Sequence, residues 1–383
     1  MALSTNRSRI VIILASNFLI SVLQSNLASL YSLVGPNFGQ GVAGLGLASS
    51  LMFLGICMAE IPGGILEARI GARNSIAYMM FLCAAASIVG SLTTNFSIFL
   101  VTRFAVGVGI GAAFPPVIVI LTRYFKTGSE GTAVGWNSFS YNLGYVAGLA
   151  GWAVLGSILG WRLSLSLGGL FSAAIGVLMI VSLPRLEIGL QNLKLSISDL
   201  KLAFSNRQVS LLTVSLFGIG ASSNITSNFL VYFLETQARL PPGEAGLIGG
   251  VGPLFAFTAP FIGRYYDRTG RLKMWMSFAA IIVAGGVAVT TFGTPIAGIL
   301  SSVLVAVGAS TGYTVGLTKA RQIGKSIRKE YESVTLAWTD SISLLGGFVA
   351  PVLFSAVVTS AGYRVAWPVG GLFSLVLVVA ILL

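Results

Sequence analysis

The segment Gly263–Leu272, GRYYDRTGRL, is a charged turn between two long apolar runs. An earlier segment, Gly64–Arg73 (GILEARIGAR), has the corresponding place in the first half of the chain. Three residue pairs in these segments align at one shift of 199 residues: Gly64 with Gly263, Arg69 with Arg268, and Gly71 with Gly270. A charged, glycine-containing turn repeated at this distance predicts two similar halves.

A second set of matches relates later parts of the two halves at a shift of 202 residues. It pairs Glu130, Trp136 and Gly144 with Glu332, Trp338 and Gly346, and the turn Gly160–Arg162 with Gly362–Arg364. Both glutamates are predicted at helix N-termini, where a carboxylate interacts favourably with the helix dipole and can meet the arginines of the repeated turns.

The composition predicts a membrane protein. Of the 383 residues, 55% are hydrophobic and only 9% are charged, whereas soluble domains carry about 25% charged residues. A helix needs roughly 20 apolar residues to cross a bilayer. Twelve apolar runs reach about that length, and they lack the period-2 alternation of barrel strands: 10–31, 44–66, 74–95, 97–121, 131–157, 163–183, 209–234, 246–265, 273–292, 295–318, 333–358 and 363–383.

These runs predict an all-α membrane protein with twelve transmembrane helices in two pseudo-symmetric six-helix bundles. The N-terminal bundle is expected over 1–183 and the C-terminal bundle over 209–383. The polar stretch 184–208 between them is predicted to be a cytoplasmic linker, with a short interfacial helix at Leu195–Phe204.

The net charge of +12 is distributed to one side of the predicted bilayer. If the N-terminus is cytoplasmic, 19 of the 23 Lys and Arg residues lie on the inner side, as the positive-inside rule requires. Both termini are then cytoplasmic, and nucleic acid is not an expected partner. The compact loops favour a prokaryotic cytoplasmic membrane.

The repeated turn resembles the loop between the second and third spans of the major facilitator superfamily, G-x-L-A-D-R-x-G-R-R. The second copy matches well, and in the first copy Ala68 replaces the family's Asp while Glu67 stands one place earlier. The resemblance implies two bundles that expose a midplane site alternately to each side of the membrane. It also implies conformational-switch loops at Glu67, Arg69, Gly71, Arg73, Asp267, Arg268, Gly270 and Arg271, together with Glu130 and Glu332.

Three further motifs extend the resemblance. Ala59–Gly64 (AEIPGG) is similar to the Q-x-P-G-G of organic-anion and cyanate-type transporters, with Glu60 replacing Gln. Arg103–Gly109 resembles the family's R-x-x-Q-G-x-G, with Val106 in place of Gln. The glycines of span 5 resemble an antiporter pattern that has proline where this chain has Leu149: Gly135, Gly144, Gly148 and Gly151.

Arg103 is the leading candidate for substrate binding. An arginine about two turns into the hydrocarbon costs several kcal/mol unless it faces water or a partner, and spans 1 and 5 contain no acidic residue. Its repeat equivalent is Ser302, so the two-fold repeat does not require a cation here. Two roles are open: binding a substrate anion, or hydrogen bonding to backbone carbonyls or span 1 amides within the N-terminal half.

Amide and hydroxyl groups in other spans are candidates for a wet cavity or for helix contacts. In span 1, Asn17 and Gln24 are about two turns apart and share a face, whereas Asn26 points nearly opposite and is assigned to helix contacts. Both roles remain open for Asn17 and Gln24. Further substrate-binding candidates are Tyr141, Asn142, Asn224, Asn228 and Tyr313.

Two carboxylates are candidates for proton coupling. Asp340 replaces Ser138 of the first half and lies near the predicted midplane; the alternative is a buried, hydrogen-bonded aspartate. Glu60 lies about one turn inside the cytoplasmic end of span 2; the alternative is a carboxylate that pairs with Arg69 or Arg123 at the interface.

We therefore expect a monomeric secondary transporter that moves a small organic anion through the lipid bilayer by alternating access, coupled to protons. Proton-coupled efflux of amphipathic or cationic drugs is the main alternative, and an uncoupled facilitator is a third. The chain contains no histidine and no G-x-x-x-x-G-K-[ST] loop, so we expect no metal, no cofactor, no ATP hydrolysis and no enzymatic activity.

Overall fold

The computed structural model describes residues 2–125, 130–184, 206–327 and 331–382, and every regular element in these ranges is helical. The helices of the first half are α1 (Ala2–Asn37), α2 (Val42–Ile70), α3 (Ala72–Leu92), α4 (Phe96–Thr122) and α5 (Glu130–Ser182). Those of the second half are α6 (Arg207–Thr236), α7 (Pro242–Leu254), α8 (Ala259–Thr269), α9 (Leu272–Val289), α10 (Pro295–Ile327), α11 (Tyr331–Ala361) and α12 (Tyr363–Leu382).

Ten helical segments of the described chain are long and apolar enough to cross a membrane. One of them, Trp136–Ser182, covers the predicted fifth and sixth spans together. The predicted eighth span, 246–265, is divided between α7 and α8, and neither helix alone is long enough to be one of these ten candidate spans. An all-helical, multi-pass membrane protein is thus confirmed, while the count of twelve spans remains a prediction.

Helix α5 is interrupted at Gly160. Its φ of 76° and ψ of 162° are non-helical, so the 53-residue helix consists of two segments joined at this glycine. Gly362, its counterpart at the shift of 202, has the same φ of 76° and separates α11 from α12. Such a backbone conformation is almost restricted to glycine, and its recurrence supports the second repeat.

The charged turns also recur as a glycine at a helix end. Gly71 follows α2 with φ 81°, and its N–H donates to the Glu67 carbonyl at 2.8 Å. Gly270 follows α8 with φ 61°, and its N–H donates to the Tyr266 carbonyl at 2.8 Å. Both glycines satisfy a carbonyl of the last helical turn, the usual function of glycine at this position.

Helix α2 differs from the corresponding part of the second half. It continues through Pro62 to Ile70, so Glu60 lies ten residues before the end of the helix, and its predicted depth in the membrane remains a prediction. The second half has a 3-10 turn, Phe255–Thr258, between α7 and α8. Pro253 lies in the last turn of α7, and a second proline lies in the first turn of α8. Two missing N–H donors within about two turns account for the break.

The described residues pack into two compact units. The first consists of the described residues within Met1–Gln191 and Pro241–Gly250, and the second of those within Asn192–Leu240 and Val251–Leu383. The start of α7 belongs to the first unit: a Cβ on Gly246 would lie 2.7 Å from the Leu149 carbonyl oxygen. The predicted linker 184–208 and its interfacial helix fall almost wholly outside the described residues, so they remain predictions.

Glycines allow the closest helix contacts in the first unit. A Cβ on Gly107 of α4 would overlap the Met52 carbonyl oxygen of α2, and one on Gly63 of α2 would overlap the backbone of Ala112. Small residues that let two backbones approach are the common packing device of membrane helices. This contact fixes α4, which carries Arg103, against α2.

Candidate functional site

Arg103 is completely buried in the first unit. Its Nη1 donates to the Asn26 Oδ1 of α1 at 3.4 Å, and its guanidinium carbon lies 5.0 Å from the centroid of the Phe99 ring. Gly90 of α3 makes room for the head group, because a Cβ there would lie 3.2 Å from Nη2. Helices α1, α3 and α4 therefore enclose the guanidinium.

The hydrogen bonding of this guanidinium is incomplete. Its Nε and Nη2 are buried and have no hydrogen-bond partner among the described residues, and the same holds for Nδ2 of Asn26. Burying an unpaired polar group costs free energy, and burying an unpaired charge costs more. Arg103 thus combines a positive charge with two donors that an anionic oxygen can accept.

The three amides of α1 point as their spacing predicted. Asn17 and Gln24 both contact α5, whereas Asn26 contacts Arg103 of α4. The sequence left hydrogen bonding to a span 1 amide open as an alternative role of Arg103, and the structure shows this bond with Asn26. The signal was the opposite face of Asn26, which was interpreted only as a helix contact.

Asn17 and Gln24 differ in exposure and in partners. Asn17 is fully buried, and its Nδ2 donates to the Asn137 carbonyl at 2.7 Å and to Ser140 Oγ at 2.9 Å. This arrangement is typical of an amide that holds two helices together. Gln24 is half-buried, and its Oε1 accepts a 2.5 Å hydrogen bond from the Tyr141 hydroxyl.

The half-buried polar surface of the first unit continues along α5. The Tyr141 ring meets the edge of Phe114, with 6.0 Å between the ring centroids. Asn142 is half-buried, and its Nδ2 donates to the Ser138 carbonyl of the preceding turn at 2.8 Å. Gln24, Tyr141 and Asn142 are the candidate residues of this unit that retain accessible surface.

In the second unit, the amides of α6 bond within their own helix. Asn224 Nδ2 donates to the Gly220 carbonyl at 2.9 Å, and Asn228 Nδ2 donates to the Asn224 carbonyl at 2.8 Å. Asn224 keeps some exposure, while Asn228 is buried. These bonds occupy one N–H of each amide and leave its carbonyl oxygen as an acceptor.

Gly220 is the point where α6, α10 and α11 meet. A Cβ there would lie 2.6 Å from the Tyr313 hydroxyl of α10 and 2.9 Å from the Ser343 carbonyl of α11. The Ser343 hydroxyl in turn donates to the Asp340 carbonyl at 2.7 Å. The structure therefore brings Asn224, Tyr313 and the Asp340 turn of α11 into one neighbourhood.

Asp340 itself is half-buried in α11. Within the described part of the chain, its carboxylate has neither a hydrogen-bond donor nor a cationic partner. Ser138, its repeat equivalent in the first unit, is exposed. The second predicted proton carrier, Glu60, is half-buried in α2.

The predicted switch loops are only partly described. Arg73 Nη1 donates to the Leu183 carbonyl at 2.9 Å, which connects the first loop to the end of α5. In the first loop, Arg69 is exposed and Glu67 is half-buried. In the second loop, the charged residues Asp267, Arg268 and Arg271 are exposed. Glu130 and Glu332 lie in helices, but their side chains are outside the described part.

Comparison with known proteins identifies the family. Residues 13–324 match the profile of the Major Facilitator Superfamily. The chain is 29% identical over 149 residues to the 4-hydroxybenzoate transporter PcaK of Pseudomonas aeruginosa. This stretch is 39% of this chain and 33% of that relative. The chain thus matches only about a third of the length of this relative.

Two other relatives match over longer stretches. A putative tartrate transporter of Agrobacterium vitis is 24% identical over 356 residues, 83% of this chain and 76% of the relative. A probable sugar efflux transporter of Mannheimia succiniciproducens is 23% identical over 282 residues, which cover 72% of this chain and 68% of that relative. A crystal structure of a mutant of the nucleoside transporter NupG shares the fold, with a TM-score of 0.84 at 16% identity over 97% of this chain and 98% of that one.

Proposed function

This chain belongs to the Major Facilitator Superfamily, and on that premise we propose that it moves a small organic anion across the membrane by alternating access, coupled to protons. It is a transporter and not an enzyme. The observation that carries the anion proposal is Arg103, a completely buried guanidinium with two unpaired donors. We place the chain in a prokaryotic cytoplasmic membrane with both termini inside.

A carboxylate suits this guanidinium better than a neutral substrate does. Charge-assisted hydrogen bonds between arginine and a carboxylate are short and about twice as strong as neutral ones. Two of the relatives are named for 4-hydroxybenzoate and tartrate, which are carboxylates. Because Arg103 has no exposed surface, we infer that the anion reaches it in a conformation in which α1 and α4 separate near Asn26.

The proton is assigned to Asp340, with Glu60 as the second candidate. An ionised carboxylate without a cationic partner is unfavourable away from water, and protonation removes the charge. Asp340 is the better candidate because it neighbours Ser343 and, through Gly220, Tyr313 and Asn224 of the second unit. These polar groups are our proposed substrate-binding residues of the second unit, and Gln24, Tyr141 and Asn142 are those of the first.

The test uses the purified protein in sealed liposomes that contain a pH-sensitive dye. Addition of one member of a panel of small carboxylates should acidify the interior, and Arg103→Gln should abolish the signal. Arg364→Gln is the matched control, because it removes an exposed arginine and should leave transport intact. Carboxylate uptake without acidification would mean uncoupled transport, and unchanged uptake by Arg103→Gln would exclude the proposed anion site.

Efflux of a cationic drug is the second candidate, and the unpaired carboxylate of Asp340 favours it. In the same liposomes, lipophilic cations replace the carboxylates. Cation–proton exchange that persists in Arg103→Gln but is lost in Asp340→Asn would establish efflux. Arg103→Gln therefore separates the two functions, because it abolishes carboxylate uptake under the first and leaves cation exchange intact under the second.

A further inference from the structure

A basic cavity lies at one end of the second unit, and none of the proposed substrate-binding residues is among its described lining residues. Helices α6 and α9 begin at it and α12 ends at it, and it encloses about 350 Å³. Three cations contribute to its lining: Arg207 at the start of α6, Lys273 at the start of α9, and Lys319 of α10. We refer to this space as the basic cavity.

The charged side chains that line the basic cavity in the described part of the chain are all cationic. None of the lining residues in the described part of the chain is acidic. The N-terminal ends of α6 and α9 add partial positive charge, whereas the C-terminal end of α12 contributes the opposite sign. The three side chains therefore decide the preference of the cavity, which is for an anion.

The remaining walls of the basic cavity are apolar. Leu212 of α6, Ile323 of α10 and Ile381 of α12 line it and are buried. Aliphatic walls of this kind do not contribute to the binding of a freely soluble anion. An amphipathic ligand, with an anionic head on the cations and a hydrocarbon tail against the aliphatic side chains, satisfies both parts.

The position of the cavity indicates where such a ligand comes from. The four helices that line it with cations or buried aliphatic residues are all candidate membrane spans. The end of a membrane-spanning helix lies near the lipid headgroups, and basic pockets between such helices bind anionic headgroups. We propose that the basic cavity binds an anionic phospholipid, whose phosphate contacts Arg207, Lys273 and Lys319 and whose acyl chain lies against Leu212 and Ile381.

The proposal is tested with the full-length protein and phosphatidylglycerol, against phosphatidylcholine as the neutral lipid, by native mass spectrometry. We expect the protein to retain phosphatidylglycerol preferentially. In the triple variant Arg207→Gln, Lys273→Gln, Lys319→Gln, affinity for this lipid should fall by about a hundredfold, roughly fivefold for each cation. The single variant Lys319→Gln should show about one such fivefold step, so the test does not depend on folding of the triple variant.

The matched control removes the same charge from exposed positions of the second unit that do not line the cavity: Arg239→Gln, Arg264→Gln and Arg364→Gln. This control should keep the lipid preference within about twofold. An equal loss in both triple variants, or no preference for phosphatidylglycerol in the wild type, would overturn the proposal.

A further arm separates a lipid from a soluble phosphate. Inorganic phosphate replaces chloride at constant ionic strength, and bound phosphatidylglycerol is measured again. Retention of the lipid supports the proposal, because a headgroup held together with its acyl chain does not exchange with free phosphate. Displacement would show that the cavity binds the phosphate group alone, and it would overturn the contacts proposed for the acyl chain. Neither result depends on whether the protein transports organic anions.

Discussion

The two units share a repeated scaffold but carry opposite charges at positions that the repeat relates to serine. Arg103 of the first unit corresponds to Ser302, whose hydroxyl accepts the Gly252 N–H at 2.8 Å. Asp340 of the second unit corresponds to Ser138, an exposed residue of α5. At each of these two positions, the other unit has a small neutral serine on the same helical scaffold. The charges are therefore not requirements of the fold, which favours a role in function.

The largest effect is expected from removing the cation. In Arg103→Met, we expect anion uptake to fall at least a hundredfold, because the charge and both unpaired donors are lost. The thermal unfolding midpoint should stay constant or rise, since replacing a buried charge by a hydrophobic residue of similar size is often neutral or stabilising. Uptake into liposomes and thermal unfolding in detergent measure the two effects.

The same experiment tests the alternative role of Arg103. If the arginine serves chiefly to hold α1 and α4 together through Asn26, Arg103→Met lowers the unfolding midpoint and the protein aggregates. Ser302→Ala provides the comparison in the second unit: it removes one partner of the Gly252 N–H, and we expect a loss of roughly 1 to 3 kcal/mol of stability with uptake retained.

A smaller and more selective effect is expected from removing the carboxylate. Asp340→Asn should abolish accumulation against a gradient while leaving exchange of labelled substrate across the membrane, because the binding site persists but the proton does not move. Ser138→Ala at the related position of the first unit should change neither. Normal accumulation by Asp340→Asn would move the proton to Glu60.

The units also differ in how tightly one helix pair packs. In the first unit Gly107 leaves no space for a side chain beside Met52, whereas the related position of α10 is Ala306. Gly107→Ala should cost about 1 to 3 kcal/mol from overpacking. Gly285→Ala is the control, because a Cβ at this exposed site of α9 meets nothing within 4 Å, and it should stabilise its helix by up to about 1 kcal/mol. Equal unfolding midpoints for the two variants would show that the α2–α4 contact tolerates a methyl group.

The sequence was sufficient for the features that depend on local composition. The runs predicted at 74–95 and 97–121 correspond to α3 and α4 within three residues at each end, because their limits are set by turn residues. The repeat was visible because Gly71, Gly160 and their counterparts require positive φ. These features depend only on neighbouring residues and on hydrophobicity.

The features that depend on tertiary contacts were predicted less well. The ends of α1 and α2 extend beyond the apolar runs, since a helix can continue into the polar interface. A span 1 amide was one of the predicted alternatives for the partner of Arg103, but the sequence did not identify which amide, because the choice between Gln24 and Asn26 depends on the rotation of α1 about its axis. The break between α7 and α8 was not predicted from the apolar run, because it depends on the combined effect of two prolines.

The smallest expected effect separates the two copies of the charged turn. Gly270 has φ 61° and ψ 7°, in the left-handed helical region that asparagine tolerates, so Gly270→Asn should cost less than about 1 kcal/mol. Gly71 has φ 81° and ψ 150°, a region used almost only by glycine, and Gly71→Asn should cost about 1 to 3 kcal/mol. Unfolding midpoints of the two variants measure the difference. If both fall equally, the two turns share one backbone conformation, and the asymmetry between the units is confined to their charges and their helix breaks.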